Sequence, residues 1–275
     1  MKVTFWGTRG SLASPGPETV RYGGNTACVT IRDSSGGLII LDAGTGIRRL
    51  GATLGDARTI HLFLTHLHLD HVQGLGFFAP LFRPGVEVHI WGPPSLRADL
   101  ATRLNRYLSP PLFPVRLKEV PSSVTLHPAP MRPIMVGNVQ VVAELIIHPG
   151  PTVGYRLSEG GRAVAYLPDH EPALGARRFP ESPEWTSGQA LATGVDLLIH
   201  DAQYTVDERS SRIGWGHSSL DEAVAFARAV GAAALAPFHH DPTHSDADLD
   251  DLFHSVDGDP IELIPAAEGM TVQVV

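Results

Sequence analysis

The segment Thr65-His66-Leu67-His68-Leu69-Asp70-His71 follows directly on an apolar, strand-type run, Thr59-Ile60-His61-Leu62-Phe63-Leu64. Four side chains able to hold a metal ion fall within six positions here. At the end of a buried strand they cannot all be absorbed into an apolar core. On extended chain His66 and His68, separated by Leu67, face the same way. Asp70 and His71 come where a helix would begin, and turn toward a second point in space. One short segment can therefore offer two ligands to each of two adjacent metal ions. The competing reading is a His-rich surface turn.

Further metal-capable residues stand at the ends of other strand-type runs. His148 ends the run at 139–148, Asp169 ends that at 162–169, and His239 and His240 follow the apolar stretch 232–238. Singly, each reads as a cap or turn residue. Together they share one address, the C-terminal end of a strand, where α/β sites collect. Strand-type runs also occur at 2–8, 87–92, 153–157 and 195–201, and TACVTIR and LIILDAG around DSSGG read as a β-hairpin. Helical patterns at 46–54, 95–108, 219–231 and 245–256 lie between or after them. Two Pro-rich stretches, 109–135 and 171–189, read as loops, lids or substrate-facing insertions. Strands alternating with helices in both halves imply sheets with helices on their outer faces.

The chain has 275 residues, which fits a single domain spanning 1–275. Fourteen His stand against one Cys, which rules out an internal disulfide framework and a Cys-rich zinc module and makes imidazole the reactive side chain. Net charge is −8, from 29 acids and 21 bases, so no global field draws in nucleic acid and broad nucleic-acid binding is not expected. No uncharged apolar run approaches the roughly 18 residues of a membrane span, and the N-terminal segment lacks a signal-type apolar region. A cytoplasmic protein without membrane contact is expected.

His66 to His71 match in full the HxHxDH signature, and the chain resembles the metallo-β-lactamase fold superfamily. GTRGSLASPGP, RYGGNTACV, LDAGTG, THLHLDHVQG, HPGPTVGYRL, YLPDHEP, LLIHDAQYT, GHSSLDEAVAFA and FHHDPTHSD follow one another in the order of its ribonuclease Z and cyclic-nucleotide phosphodiesterase branch. The resemblance implies an α/β fold, an αββα four-layer sandwich with a dimetal site at one edge. It implies that His66, His68 and His148 hold one metal, that Asp70, His71 and His239 hold the other, and that Asp169 bridges them. His239 rather than His240 is assigned because it directly follows the strand and its one-residue turn. Asp42, in LDAG, matches a residue that orients the His loop, or is a turn-initiating Asp. His217, in GHSS, matches a His that protonates the leaving oxygen, supported by Asp201, where ribonuclease Z typically has Glu; otherwise His217 is a loop residue ahead of a helix. Asp70, His217 and Asp201 are thus the expected catalytic residues.

Two divalent ions are implied, zinc first, with manganese or iron accepted by the same donors. Two carboxylates against two such ions leave the site at about +1 once a hydroxide bridges them, an anion-attracting island on an acidic protein. The leading expectation is a phosphodiesterase acting on a cyclic nucleotide or other small phosphodiester, with metal-activated hydroxide attacking phosphorus. The alternatives are a tRNA 3′-processing endoribonuclease, a carboxylic or thioester hydrolase of lactamase or lactonase type, and a non-catalytic metal-binding accessory protein. Against the tRNA reading, the 109–135 stretch carries only Arg116, Lys118 and Arg132. A homodimer is compatible with this family. In the first loop, Arg9, Ser11, Arg21, Tyr22 and Asn25 either line a substrate entrance or brace a Gly-rich turn. Cys28 reads as a small buried hydrophobe.

Overall fold

The strand that precedes the histidine segment is β4 (Thr59–Phe63), and its neighbours show why the site lies where it does. A computed structural model describes residues 1–176, 179–180, 182–256 and 258–274. In β3 (Leu38–Leu41) successive side chains point to opposite faces. Ile39 and Leu41 enter one core, Ile40 enters another, and all three are buried, as a strand covered on both faces requires. β3 pairs in parallel with β4, β4 with β5 (Glu87–Gly92), and β5 with β6 (Ser123–Pro128). On the other side β2 (Cys28–Arg32), β1 (Lys2–Gly7) and β14 (Thr271–Gln273) complete a seven-stranded sheet in the order β14-β1-β2-β3-β4-β5-β6.

The second sheet also has seven strands. They are β7 (Ile134–Val136), β8 (Val139–Leu145), β9 (Val153–Glu159), β10 (Arg162–Leu167), β11 (Leu197–Asp201), β12 (Ala234–Phe238) and β13 (Glu262–Leu263), in the order β13-β12-β11-β10-β9-β8-β7. The inner faces of the two sheets share one core, in which Phe5 meets Phe238 and Phe63 meets Tyr155 edge-on. On the outer face of the first sheet, α1 (Ile47–Ala52) and α3 (Leu100–Leu104) cover a second apolar cluster, beside α2 (Leu69–Val72). Outside the second sheet lie α4 (Gln189–Ala192), α6 (Leu220–Ala229) and α7 (Asp246–His254), over a third. The architecture is the αββα sandwich of the metallo-β-lactamase fold. Parallel β3 and β4, and β10 to β12, end at one edge, so the segments that follow them converge there.

The hairpin forms as its sequence implies, with Val29 opposite Leu41 and Ile31 opposite Ile39. Asp33 closes its turn by accepting from the backbone N–H groups of Ser35 and Gly37. Helices α6 and α7 begin at Ser219 and Ser245, each in a reciprocal capping box with the residue three positions on. Other expectations need correcting. The stretch 109–135 is not all loop, because it contains β6 and the start of β7; the prolines at 128, 130 and 133 mask a half-buried edge strand. The run at 139–148 leaves the sheet at Leu145, where the Ile146 N–H turns to the Thr152 carbonyl. The helical pattern at 95–108 shrinks to α3, capped by Asp99. Within 171–189 lie a 3₁₀ turn at Pro183–Trp185 and the start of α4, while 177, 178 and 181 fall outside the described residues. Short elements that went unread include α5 (Val206–Ser210), the two-residue β13 and the three-residue β14. Among the described residues no helix is long and apolar enough to cross a membrane.

Candidate metal centre

The nine residues singled out by sequence as ligands or catalytic groups all arrive at the common strand edge. The ligand atoms of His66, His68 and His148 lie within 4.8 Å of one another, and so do those of Asp70, His71, Asp169 and His239. Asp169 stands between the groups. Its Oδ2 is 3.7 Å from both His66 Nε2 and His148 Nε2 and 3.3 Å from His239 Nε2, while its Oδ1 is 2.9 Å from His71 Nε2. His68 is exposed to solvent and the other six are buried.

Four of the five imidazoles have their Nδ1 committed to the protein. His71 Nδ1–H donates to Asp42 at 2.8 Å, His148 Nδ1–H to the Gly216 carbonyl at 2.8 Å, and His239 Nδ1–H to the Gln203 side-chain oxygen at 3.1 Å. The Thr65 hydroxyl must spend its proton on the carboxylate of Asp42, so it accepts from His66 Nδ1–H. Each ring therefore aims an unprotonated Nε2 inward when neutral, the tautomer that a metal needs. His66 Nε2 has no hydrogen-bond partner and Asp169 Oδ1 faces His71 Nε2 without hydrogen-bond geometry, whereas His148 Nε2 accepts from His68 Nδ1–H at 3.1 Å. Buried lone pairs facing lone pairs repel unless a cation lies among them. The donor set fits divalent ions.

The electrostatics point the same way. Burial pushes His148 down to about 4 and His66 well below the ordinary range, so both rings are held neutral. Burial works against charge on His71 and His239 too, but Asp169 and Asp70 outweigh it, lifting His71 well above the ordinary range and His239 to about 9. These carboxylates demand positive charge at this point.

Three residues at the site have left-handed backbone, Ser11 at φ 57°, Asp42 at φ 58° and His239 at φ 62°. Such a conformation costs a non-glycine residue of order 1 kcal/mol and persists only where its surroundings fix it. Asp42 is fixed by accepting from Thr65 N–H, Thr65 Oγ1, Tyr166 Oη and His71 Nδ1. That supports the orienting role over the turn-initiating one. His239 is fixed by the first loop, where Gly10 N–H donates to the His240 carbonyl and His240 N–H to the Thr8 carbonyl. A Cβ on Gly10 would lie 2.3 Å from His239 Nδ1.

Beside the cluster, His217 Nδ1–H donates to Asp201 Oδ2 at 2.6 Å. Asp201 is fully buried and also accepts from the N–H groups of His170, Gln203 and Ser218. The His217 ring stacks on His239 with centroids 5.0 Å apart. Its Nε2 is left to face the cleft.

The neighbouring polar residues sort themselves. His240 turns away to the Ala266 carbonyl, His244 pairs with Glu208, and Asp246 accepts from the N–H groups of Arg21 and Tyr22. In the first loop Arg9, fully buried, binds the carbonyls of Gly23, Asp241 and His244. Arg21 and Tyr22 bind Asp250, and Asn25 binds Glu268. These four brace the structure; Ser11 alone reaches the site, its N–H donating to Asp70 Oδ2. Cys28 is buried on β2. Sequence reasoning missed Gln203, Thr65 and Tyr166 as supports of the cluster. Gln203 lies two residues past Asp201, a spacing that could have flagged it.

Residues 38–240 match the family profile described as a beta-lactamase superfamily domain. The chain belongs to that superfamily. Ribonuclease Z of Haloarcula marismortui is 27% identical over an alignment covering all of this chain and 97% of that one. Among solved structures, the metallo-beta-lactamase fold protein YhfI of Bacillus subtilis superposes with TM-score 0.71 at 20% identity, covering 99% of each chain. Human tRNase Z, short form, gives TM-score 0.67 at 21% identity with full coverage of both. The superfamily member described here is a metal-dependent hydrolase whose His/Asp cluster binds divalent metal. The expectation of no broad nucleic-acid binding is in partial conflict with a relative, matched over the whole chain, that is named a ribonuclease.

Proposed function

We propose that this hydrolase cleaves a small phosphodiester, with a cyclic nucleotide within that class, and that His217 protonates the leaving oxygen. His66, His68 and His148 would hold one divalent ion and Asp70, His71 and His239 a second, with Asp169 shared; zinc is assigned first, and manganese or iron suit the same donors. Bound there, such ions supply Lewis acidity toward water and phosphoryl oxygens. The chain's own residues do the rest. Asp201 fixes His217 Nδ1–H and stabilises the imidazolium, so the mobile proton is carried on Nε2, facing the cleft. Gln203 and Asp42 keep His239 and His71 in register. The observation that carries this reading is the buried Asp201–His217 pair beside the ligand cluster: a proton donor is needed where an alkoxide departs.

Size supports a small substrate. The alignment with the Haloarcula ribonuclease Z runs over 320 positions and takes in all 275 residues of this chain, so 45 of its positions have no residue here. A second reading, RNA 3′-end processing, draws on the names of the relatives and on one local feature. Residues 83–132 carry seven Lys or Arg against three acids, on a chain of net charge −8. Two of them, Arg103 and Arg106, line a cleft of about 350 Å³ beside His66 and His68.

Turnover of bis(p-nitrophenyl) phosphate with zinc or manganese tests the main reading. Asp70→Ala abolishes turnover. His217→Ala slows a diester with an alkoxide leaving group by about 10²-fold or more, and a p-nitrophenyl ester far less, since p-nitrophenolate leaves without help. Undiminished turnover in Asp70→Ala, or equal losses on both leaving groups in His217→Ala, contradicts it. Faster cleavage of a 3′-extended tRNA than of any small diester favours the second reading.

A further inference from the structure

Two clefts flank the centre, and residue Pro149 lines both. The second, of about 570 Å³, opens on the His217 side and is lined by Tyr204, Arg212, Trp215, Pro242 and Thr243. Trp215 is 59% exposed, although a large aromatic surface left in water forgoes burial. The backbone on either side of it is nevertheless anchored. Its neighbours Gly214 and Gly216 have φ of 84° and 87°, and both donate N–H to the fully buried carboxylate of Glu171, which Arg209 also binds. The Gly216 carbonyl is the acceptor for His148 Nδ1–H, so the loop that carries the exposed indole also holds a proposed ligand. A Cβ on Gly216 would lie 2.6 Å from His148 Nδ1. In the same lining the Arg212 guanidinium lies 4.9 Å from the centroid of the Tyr204 ring and has no carboxylate partner among the described residues. The carboxylate of Asp241, also in the lining, is taken up by Thr243 and Gln203.

We infer that Trp215, with the Arg212–Tyr204 stack, forms the subsite for the leaving group, and that this group carries a planar aromatic ring, a nucleobase or an aryl group. The inference rests on the phosphodiesterase reading above, because the leaving oxygen is the one His217 protonates and its substituent must therefore project into the His217-side cleft. An indole face and a guanidinium plane stack on flat rings of any sequence or substituent. In an acyclic diester the retained group is left to the Arg106-bearing cleft. Trp215 is a specificity residue and performs no proton transfer.

The test uses the metal-loaded full chain with methyl p-nitrophenyl phosphate and bis(p-nitrophenyl) phosphate, which share a leaving group and differ in the retained one. Trp215→Ala raises KM about five- to tenfold, and equally, for both substrates. kcat stays within about twofold, and Trp215→Phe restores most of the loss. An unchanged KM in Trp215→Ala overturns the inference and leaves the hydrolase reading intact; a rise confined to the bis ester also overturns it, placing Trp215 on the retained side. Fluorescence titration of the same protein with adenosine gives a readout independent of turnover: wild type shows a quench that Trp215→Phe lacks. Absence of that quench counts against the subsite. A wild type that shows the quench but hydrolyses neither diester sinks the phosphodiesterase reading, and the leaving-group role with it.

Discussion

Asp42 shows how one residue decides between two roles that its sequence context left open. A turn-initiating Asp at φ 58° would be replaceable by Asn, which tolerates left-handed backbone equally well. The Asp42 seen here accepts from four donors on three residues, including His71 Nδ1–H, and an amide cannot accept at both of its ends. Asp42→Asn therefore lowers zinc affinity about 10- to 100-fold, as removal of a group behind a metal-bound imidazole does. Competition with a chromophoric chelator measures this; unchanged affinity returns Asp42 to the turn-forming role. The same logic separates His239 from His240. Both follow β12, but only His239 points its Nε2 at Asp70 and Asp169, whereas His240 holds the Ala266 carbonyl. Sequence could rank the two by distance from the strand end. It could not show that Gln203, from a different strand end, supplies the acceptor that turns His239 inward.

At the scale of elements, strands with apolar alternation and helices with capping signals were legible, and short or half-buried elements were not. β10, β11 and β12 bury nearly every side chain, and β4 buries Ile60, Leu62 and Phe63. β6 escaped notice because its pattern is half-exposed and prolines follow it, and β13 because two residues carry no period. The histidine segment itself splits as expected, extended through His68 and helical from Leu69. Helix α6 matters to the site because its cap residue Ser219 follows His217 and Ser218. The Ser219 hydroxyl accepts from Glu222 N–H, while Glu222 Oε2 accepts from Ser219 N–H and from Arg209. Ser219→Ala removes half of this box and lowers unfolding free energy by about 1 kcal/mol. Urea denaturation with an unchanged m-value shows this. An unshifted midpoint contradicts the claim that the box holds the helix start.

For the whole molecule, the net charge of −8 and the His/Asp ligand cluster belong to different places. The acids dominate the chain outside residues 83–132, while the centre is set at the edge where both sheets end. The paired sheets bring Asp70 and His71 from one half against Asp169 and His239 from the other, so neither half alone carries the second ligand group. That convergence was legible only through the family signature, because no spacing in the sequence says that residue 71 meets residue 239. In the proposed reaction both ligand groups work together on a phosphodiester. Zinc titrated into the chelator-stripped chain, with hydrolysis of bis(p-nitrophenyl) phosphate as readout, tests it most directly. Turnover rises from background and reaches its plateau at two ions per chain; full turnover in the stripped chain, or none at any zinc level, contradicts it.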